Sequence, residues 1–341
     1  MNEYHSQKFF VPTYGGPLTL DLRFRREFLG EHAVLVNHHR REWQSGSVGG
    51  LVIHIHSLND VALVLKEIEE SKGQLFLADT PDTLLSGIRS KKTGVMICAS
   101  FDDVGLNPDL LTIYSRLGVV SFALSLNNRN MLVDGCAERT QSGLSTLGLK
   151  VVQDLFERGI LIDVSHITDR GFWDVIENVD GGIFASHSNA RNLCNNPRNL
   201  TDEMLKAIAN KGGIVGISSY PTLLTDDPRP TIEHALDHIE YIADQIGIEH
   251  VSIGADFINY VLDFVMPKIK STDFNGQLYG EEHFNVEGLN RIAELPNLIE
   301  GMQKRGFEDE QIDKVIAKNF LNLWQSACQR KNQKQNYLNP F

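Results

Sequence analysis

The chain has 341 residues, 42% of them hydrophobic and 22% charged, which is ordinary globular composition for one barrel-sized domain or two smaller ones. A net charge of −12 excludes the clustered Lys and Arg that nucleic-acid phosphates or an anionic membrane surface require. No apolar run approaches the ~18 residues of a membrane span, and residues 1–16 lack a charged-then-apolar leader, so a cytoplasmic location is expected.

Short apolar runs alternate with helix-period segments along the chain. Eight strand candidates stand out: 17–23, 50–56, 94–100, 118–126, 160–166, 182–187, 213–219 and 250–256. They are rich in Val, Ile, Leu and Phe, and most follow a glycine, a common helix stop. Between them lie helix candidates. Residues 145–158 place Leu147, Val151, Val152 and Leu155 on one face, and 201–211 open on Thr201 as N-cap with Asp202 and Glu203 in the first turn. Residues 231–246 carry an amphipathic stripe, and 308–327 form a closing helix. Residues 221–231 and 257–285 read as long loops. Strand–helix alternation eight times over predicts parallel βαβ units and closure into a (β/α)8 TIM barrel. The expected organisation is an arm at 1–16, one barrel domain at 17–328 and a polar tail at 329–341. No Gly-x-Gly-x-x-Gly follows the first strand candidate, which argues against a dinucleotide site. Cys98, Cys136, Cys194 and Cys328 are scattered, so no Cys-x-x-Cys metal or redox motif exists and a reducing compartment is the simpler reading.

In such barrels chemistry sits where strands run into loops. The strand candidates end in His166, His187, Ser219 with Tyr220, and Asp256. Two imidazoles and a carboxylate at three strand ends suit either a metal site or metal-free acid–base chemistry. Ser186 directly precedes His187, but adjacent strand residues face opposite ways, so that pair is not expected to act as nucleophile and base. On 50–56, Leu51, Ile53 and Ile55 share one face and His54 and His56 the other, which points both histidines inward. His38 and His39 are adjacent and read as solvent-facing.

The segment IFASHSNARNLCNNPRNLTDE (183–203) resembles the signature of the membrane (renal) dipeptidase family. LIDVSHITDRGFWDVIE (161–177), SGLSTLGLKVVQDLFERGI (142–160), GADF (254–257) and KVIAKNFLNLW (314–324) resemble it too, in the same order. The resemblance implies a (β/α)8 peptidase that usually holds two zinc ions and cleaves dipeptides bearing a free carboxylate, often as a homodimer. It implies that His166 and His187 ligate one metal, that Asp256 handles the catalytic proton, that Arg198 grips the substrate carboxylate, and that Tyr220 binds substrate.

The chain departs from that pattern elsewhere. The family's first strand ends in His-x-Asp; the best match here, LDLRFR (20–25), puts Arg23 and Arg25 in those places. Ser100 matches the metal-bridging glutamate, and Leu126 the histidine that steadies the oxyanion. Arginine stays protonated and ligates no metal, so no metal is expected at the two-zinc site. Two substitutes follow. Arg23 or Arg25 occupies the vacated space and binds a substrate anion, unless both are structural ion-pair residues. Alternatively, His54 and His56 join His166 and His187 around a single zinc. Asp102 and Asp103 are further carboxylates after the third strand, and Asn127 with Asn128 offers hydrogen bonds to substrate.

The expected function is a dipeptidase-like enzyme with an altered, metal-poor site, acting on a small amide- or carboxylate-bearing molecule in a natural-product or siderophore pathway. The alternatives are an inactive homologue that binds a ligand or partner protein, and an active zinc dipeptidase with a rebuilt site.

Overall fold

A computed structural model describes residues 8–16, 18–258 and 285–338, without the side chains of 333–338. Most of the long loop expected at 257–285 lies outside these residues. The fold is α/β: a curled, all-parallel sheet with helices against it. Among the described residues, no helix is long and apolar enough to cross a membrane.

The strands are β1 (Gly50–Ile55), β2 (Leu75–Leu77), β3 (Thr93–Ser100), β4 (Ser121–Ala123), β5 (Leu161–Asp163), β6 (Ile183–Ala185), β7 (Ile214–Ile217) and β8 (Val251–Ile253). Their order is β1-β3-β4-β5-β6-β7-β8. β1 pairs with β3 from Gly50↔Gly94 to Ile55↔Ala99. The other edge of β3 is shared, with β2 on its first residues and β4 on Cys98–Ser100. Near-continuous apolar sequence explains this arrangement, since every residue of β1 is buried and so is nearly all of β3.

Seven of the eight expected strands form. The exception is 17–23, where Leu18–Arg23 is helical. Leu18 and Leu22, four residues apart, are buried together, as is Asp21, which takes hydrogen bonds from Arg25 and His39. Thr19 donates to the backbone oxygen of His54, which ties this helix to β1. An earlier segment is extended instead. Phe10 bridges Val48 in parallel, with Phe10 N to Ser47 O at 2.8 Å and Gly49 N to Phe10 O at 2.9 Å. Thr13 N then donates to Ile253 O of β8 at 2.8 Å. Residues 10–13 therefore lie between the β1 side and β8. The unexpected β2 is only three residues long, too short for a periodicity signal.

The helices follow their expected limits closely. Thr146–Glu157, Asp202–Asn210 and Ile232–Ile246 are capped by Ser145, Thr201 and Thr231, whose hydroxyls accept first-turn N–H groups. Gly159 and Gly212 turn the chain out of two of these helices at φ 67° and 66°, where a side chain is disfavoured. The closing helix runs to Leu338, well into the polar segment expected as a tail.

Two glycines, Gly216 in β7 and Gly254 just past β8, bring the site close together. A methyl group on Gly216 or Gly254 would fall inside contact distance of Ser186 O, which already accepts the Thr13 hydroxyl at 2.6 Å. Gly254→Ala is expected to lose roughly 2–3 kcal/mol of unfolding free energy, because a backbone carbonyl cannot move aside as a side chain can. Urea unfolding checks this; wild-type stability in the variant would mean that Ser186 is not held here.

Candidate active site

The C-terminal ends of β5, β6 and β8 place His166, His187 and Asp256 on short post-strand segments. His166 (φ 72°) and Asp256 (φ 56°) take left-handed backbone that L-residues avoid, at a cost of about 1–2 kcal/mol each. The surrounding packing holds them there.

His166 and His187 meet directly, with Nε2 to Nε2 at 2.7 Å. Their other nitrogens are also engaged. His166 Nδ1 lies 2.8 Å from Asn127 Oδ1, and His187 Nδ1 lies 2.6 Å from Ser186 Oγ. Ser186 Oγ continues to Asp163 Oδ2 at 2.5 Å, and Asp163 Oδ1 accepts the backbone N–H groups of Ser165 and Ser186. Burial, then the nearby Arg198 guanidinium, holds both imidazoles well below the usual histidine range, so both are neutral at pH 7. Burial pushes the Asp163 carboxyl up.

The contact between Ser186 and His187 corrects the sequence expectation that they face opposite ways. β6 ends at Ala185, so strand alternation no longer governs them. The order Asp163–Ser186–His187 still does not make a nucleophile triad. There the base stands between acid and serine, whereas here the serine stands between acid and histidine.

Tyr14, just past the extended residues 10–13, stacks on His187 with centroids 4.2 Å apart and planes at 18°. It meets His54 edge-on at 5.5 Å, and His54 meets His56 at 5.7 Å. Burial, then the Asp256 charge, raises the Tyr14 phenol well above its ordinary value, so it stays a neutral O–H. Burial, then the His56 charge, lowers His54 to about 3.

Arg198 is buried. Its Nη1 donates to Ser188 Oγ at 3.2 Å and its Nη2 to His187 O at 3.0 Å. Asp256 has its carboxyl raised to about 6 by burial, against the opposing pull of Arg198. Tyr220 caps the short helix Pro221–Leu224 and lines a small pocket with Asp256. A larger cavity of about 560 Å³ lies over the loops after β4, β6 and β7, lined by Cys136, Asn196, Pro197, Thr222 and Asp226 among others. Cys136 N bonds His166 O, and Pro197 and Pro221 adjoin Arg198 and Tyr220 in sequence, so this cavity borders the loops that carry the site, although none of the site side chains lines it. It is large enough for a dipeptide-sized ligand.

The structure thus brings together His166, His187, Asn127 and Arg198, and places Asp256 and Tyr220 beside one another. It does not bring Arg23 and Arg25 to them. Arg23 binds Asp60 through Nε at 2.5 Å and Nη2 at 2.6 Å, and Arg25 pairs with Asp21 and Glu31. Their expected role as substrate cations gives way to the ion-pair alternative, because their segment is a helix and not a strand end. His39, expected to face solvent, is buried with Nε2 2.6 Å from Asp21 Oδ2.

Among the described residues, no group of three or more His, Cys, Asp or Glu side chains converges as a metal requires. Ser100 stands at the end of β3 with its hydroxyl on Asp102, and the Tyr14 ring separates His54 from His187. The four-histidine zinc site considered from sequence is therefore not assembled.

Tyr14 and Asp163 were not singled out in the sequence. Tyr14 carried a readable signal, since FFVPTYGG is an apolar run with a polar end before Gly-Gly, like the other strand ends. Asp163 carried none, being one acidic residue inside LIDVSH.

An α/β fold with a buried polar constellation at the C-terminal ends of its parallel strands carries that constellation where such folds place their binding and catalytic sites. Residues 41–264 match the family model of membrane dipeptidase (peptidase family M19), and the chain belongs to that family. It is 26% identical over 279 residues to dipeptidase tcpJ of Claviceps purpurea, covering 80% of this chain and 60% of that protein. The chain spans about 60–65% of the length of the first curated relatives it matches. In fold it is similar to a Rhodobacter sphaeroides metallo peptidase liganded with a phosphinate mimic of the dipeptide L-Ala-D-Ala (TM-score 0.77, 18% identity, 93% of this chain and 99% of that one). It is also similar to the probable dipeptidase PvdM of Pseudomonas aeruginosa (TM-score 0.71, 19% identity, 85% and 88%).

Asp256 gives a pH signature. Its folded value, about 6, lies above the ordinary 3.8, so the folded state binds the extra proton between those values. Its contribution is fully present below about pH 4 and is lost as pH rises through about 6. Asp256→Asn is therefore expected to be isostable with wild type near pH 4 and more stable by about 2 kcal/mol at pH 7.5, the shift being discounted for partial exposure. Denaturant midpoints across pH 4–8 check this; a pH-independent difference would remove the argument.

Proposed function

We propose that this chain is a dipeptidase-like enzyme whose site works by acid–base chemistry without the two-zinc centre, on a small molecule carrying a carboxylate next to an amide. The observation that carries this reading is the 2.7 Å contact between His166 and His187 beside Arg198. Two imidazoles that the family resemblance assigns to a metal are hydrogen-bonded to each other, and the fixed positive charge beside them is a guanidinium. Arg198 anchors the carboxylate, for which its planar donors are suited. Asp256, with a carboxyl near 6, moves a proton in the neutral pH range. The Tyr14 O–H is a neutral donor for developing negative charge. Asn127 positions His166, and Tyr220 closes the substrate side beside Asp256. The proposed setting is a natural-product or siderophore pathway, a reading that the family resemblance supports.

We infer as well that the sheet closes as a (β/α)8 barrel, with residues 10–13 as the stave between β1 and β8. The hydrogen bonds of Phe10 and Thr13 support that reading.

The test is turnover of a panel of dipeptides and N-acyl amino acids, L-Ala-D-Ala included, by protein dialysed against chelator and assayed for metal. Chelator-resistant turnover is expected, with kcat falling about 10²- to 10⁴-fold in Asp256→Asn. Arg198→Lys is expected mainly to raise KM, as lost bidentate anchoring would. Turnover that requires stoichiometric zinc would overturn the reading in favour of a rebuilt metallopeptidase. Absence of turnover, with carboxylate binding lost in Arg198→Ala, would overturn it in favour of a ligand-binding homologue.

A further inference from the structure

A second polar cluster stands at the ends of β1 and β3, apart from the imidazole pair. His56 follows β1, Ser100 ends β3, and Asp102 begins the next turn. His56 Nδ1 lies 2.9 Å from Asp102 Oδ2 and 3.0 Å from Ser100 Oγ. Ser100 Oγ donates to Asp102 Oδ2 at 2.8 Å. Each of these three contacts falls on the Nδ1 side of the ring.

The proton count fixes the tautomer. Ser100 has one hydroxyl proton, and the carboxylate is its strongest acceptor. Its lone pair then faces Nδ1, as does a carboxylate oxygen. Two acceptors against one ring nitrogen require that nitrogen to carry the hydrogen. Neutral His56 is therefore the Nδ1–H tautomer, and Nε2 bears the lone pair. Among the described residues, nothing is hydrogen-bonded to Nε2. The ring is partly exposed, with 28% of its side-chain surface accessible, so that lone pair is open to a ligand. By contrast, His166 and His187 have all four ring nitrogens engaged.

A second layer holds the ring in place. Asp60 Oδ2 accepts the backbone N–H groups of His56 and Ser57, and Arg23 clamps Asp60 through two bonds. Arg23 thus serves this cluster from behind. Burial and hydrogen bonding act in opposite directions on Asp102, and the balance is a lowered carboxyl, in keeping with an ionised partner for His56.

We propose that Asp102 and His56 form an acid–base dyad in which His56 Nε2 is the open base of the site and Asp102 is its positioning residue. The proposal rests on the acid–base reading above and adds a second proton-transfer group to it. In the step, a water or substrate O–H hydrogen-bonded to Nε2 gives its proton to that nitrogen. As it does so, the oxygen bonds to the substrate's amide carbonyl carbon, and Asp102 stabilises the resulting imidazolium through Nδ1–H; the C–N bond then breaks, and the same proton passes from Nε2 to the leaving nitrogen. Ser100 is not the nucleophile, because it lies on Nδ1 and not on Nε2.

The test reads the tautomer directly and needs no substrate. ¹⁵N-histidine NMR of the full chain, with the His56 signals assigned by their loss in His56→Gln, is expected to show a protonated Nδ1 and a lone-pair Nε2 at high pH. That is the reverse of the free histidine side chain's preference. Asp102→Asn, with folding checked by circular dichroism, is expected to shift the population toward Nε2–H. Ser100→Ala, which keeps the carboxylate, is expected to retain the wild-type pattern. A wild-type Nε2–H signal, or no change in a folded Asp102→Asn, overturns the proposal whatever the activity panel gives. If the panel finds a substrate, His56→Gln should lower kcat at least 100-fold with KM little changed, and unchanged kcat overturns the base role. If it finds none, the acid–base reading fails separately from the tautomer.

Discussion

The arrangement of the site follows from one contact, the hydrogen bond between His166 Nε2 and His187 Nε2. Two neutral imidazoles can share it only if one nitrogen donates and the other accepts. Asn127 Oδ1 faces His166 Nδ1, which must therefore carry a hydrogen, so His166 Nε2 accepts and His187 Nε2 donates. His187 Nδ1 must then accept, and Ser186 donates to it. The serine has no second proton for Asp163 Oδ2 at 2.5 Å, so the acid supplies that one. With Asn127 Oδ1 on His166, the row of bonds runs in one direction from Asp163 to Asn127, and a protonated Asp163 completes it; burial pushes that carboxyl up.

This accounting explains why Arg198 is tolerated beside the pair. A buried guanidinium next to imidazolium would be strongly unfavourable, and next to neutral rings it is held by Ser188 Oγ and His187 O. Its positive charge in turn favours the neutral rings and opposes the burial term on Asp256. Close packing keeps these groups in register. Thr13 donates to Ser186 O and to Ile253 O, and glycines at 216 and 254 leave no room for the Ser186 carbonyl to move. A backbone shift of a few tenths of an ångström at Ser186 would lengthen bonds on both sides of it.

Much of this was legible in the sequence because parallel strands covered on both faces read as plain apolar runs. Seven strand positions and the polar residues that end them follow from that rule. It failed at 17–23, where Leu-Thr-Leu-Asp-Leu alternates like a strand yet also spaces Leu18 and Leu22 for a helix face. Tertiary partners decided it: His54 O for Thr19, and His39 for Asp21. That single misplacement put Arg23 and Arg25 in the site and left Tyr14 out of it. The segment that does lie beside β8 contains Pro12 and makes few ladder bonds, so no periodicity marks it. Ser186 was missed for another reason. Strand alternation was applied one residue past Ala185, where β6 had already ended.

Tyr14 then divides the mouth of the curled sheet. Its ring lies flat on His187 and edge-on to His54, so a row of five rings runs from His166 through His187, Tyr14 and His54 to His56. On one side the imidazoles satisfy each other. On the other side a ring nitrogen is left open, with its acid behind it. The Tyr14 ring stands between His187 and His54, and a charge on His54 would still act across it on both His187 and His166. A substrate anchored at Arg198 lies on the His187 side of Tyr14, and to be served by His56 as well it must extend over the phenol.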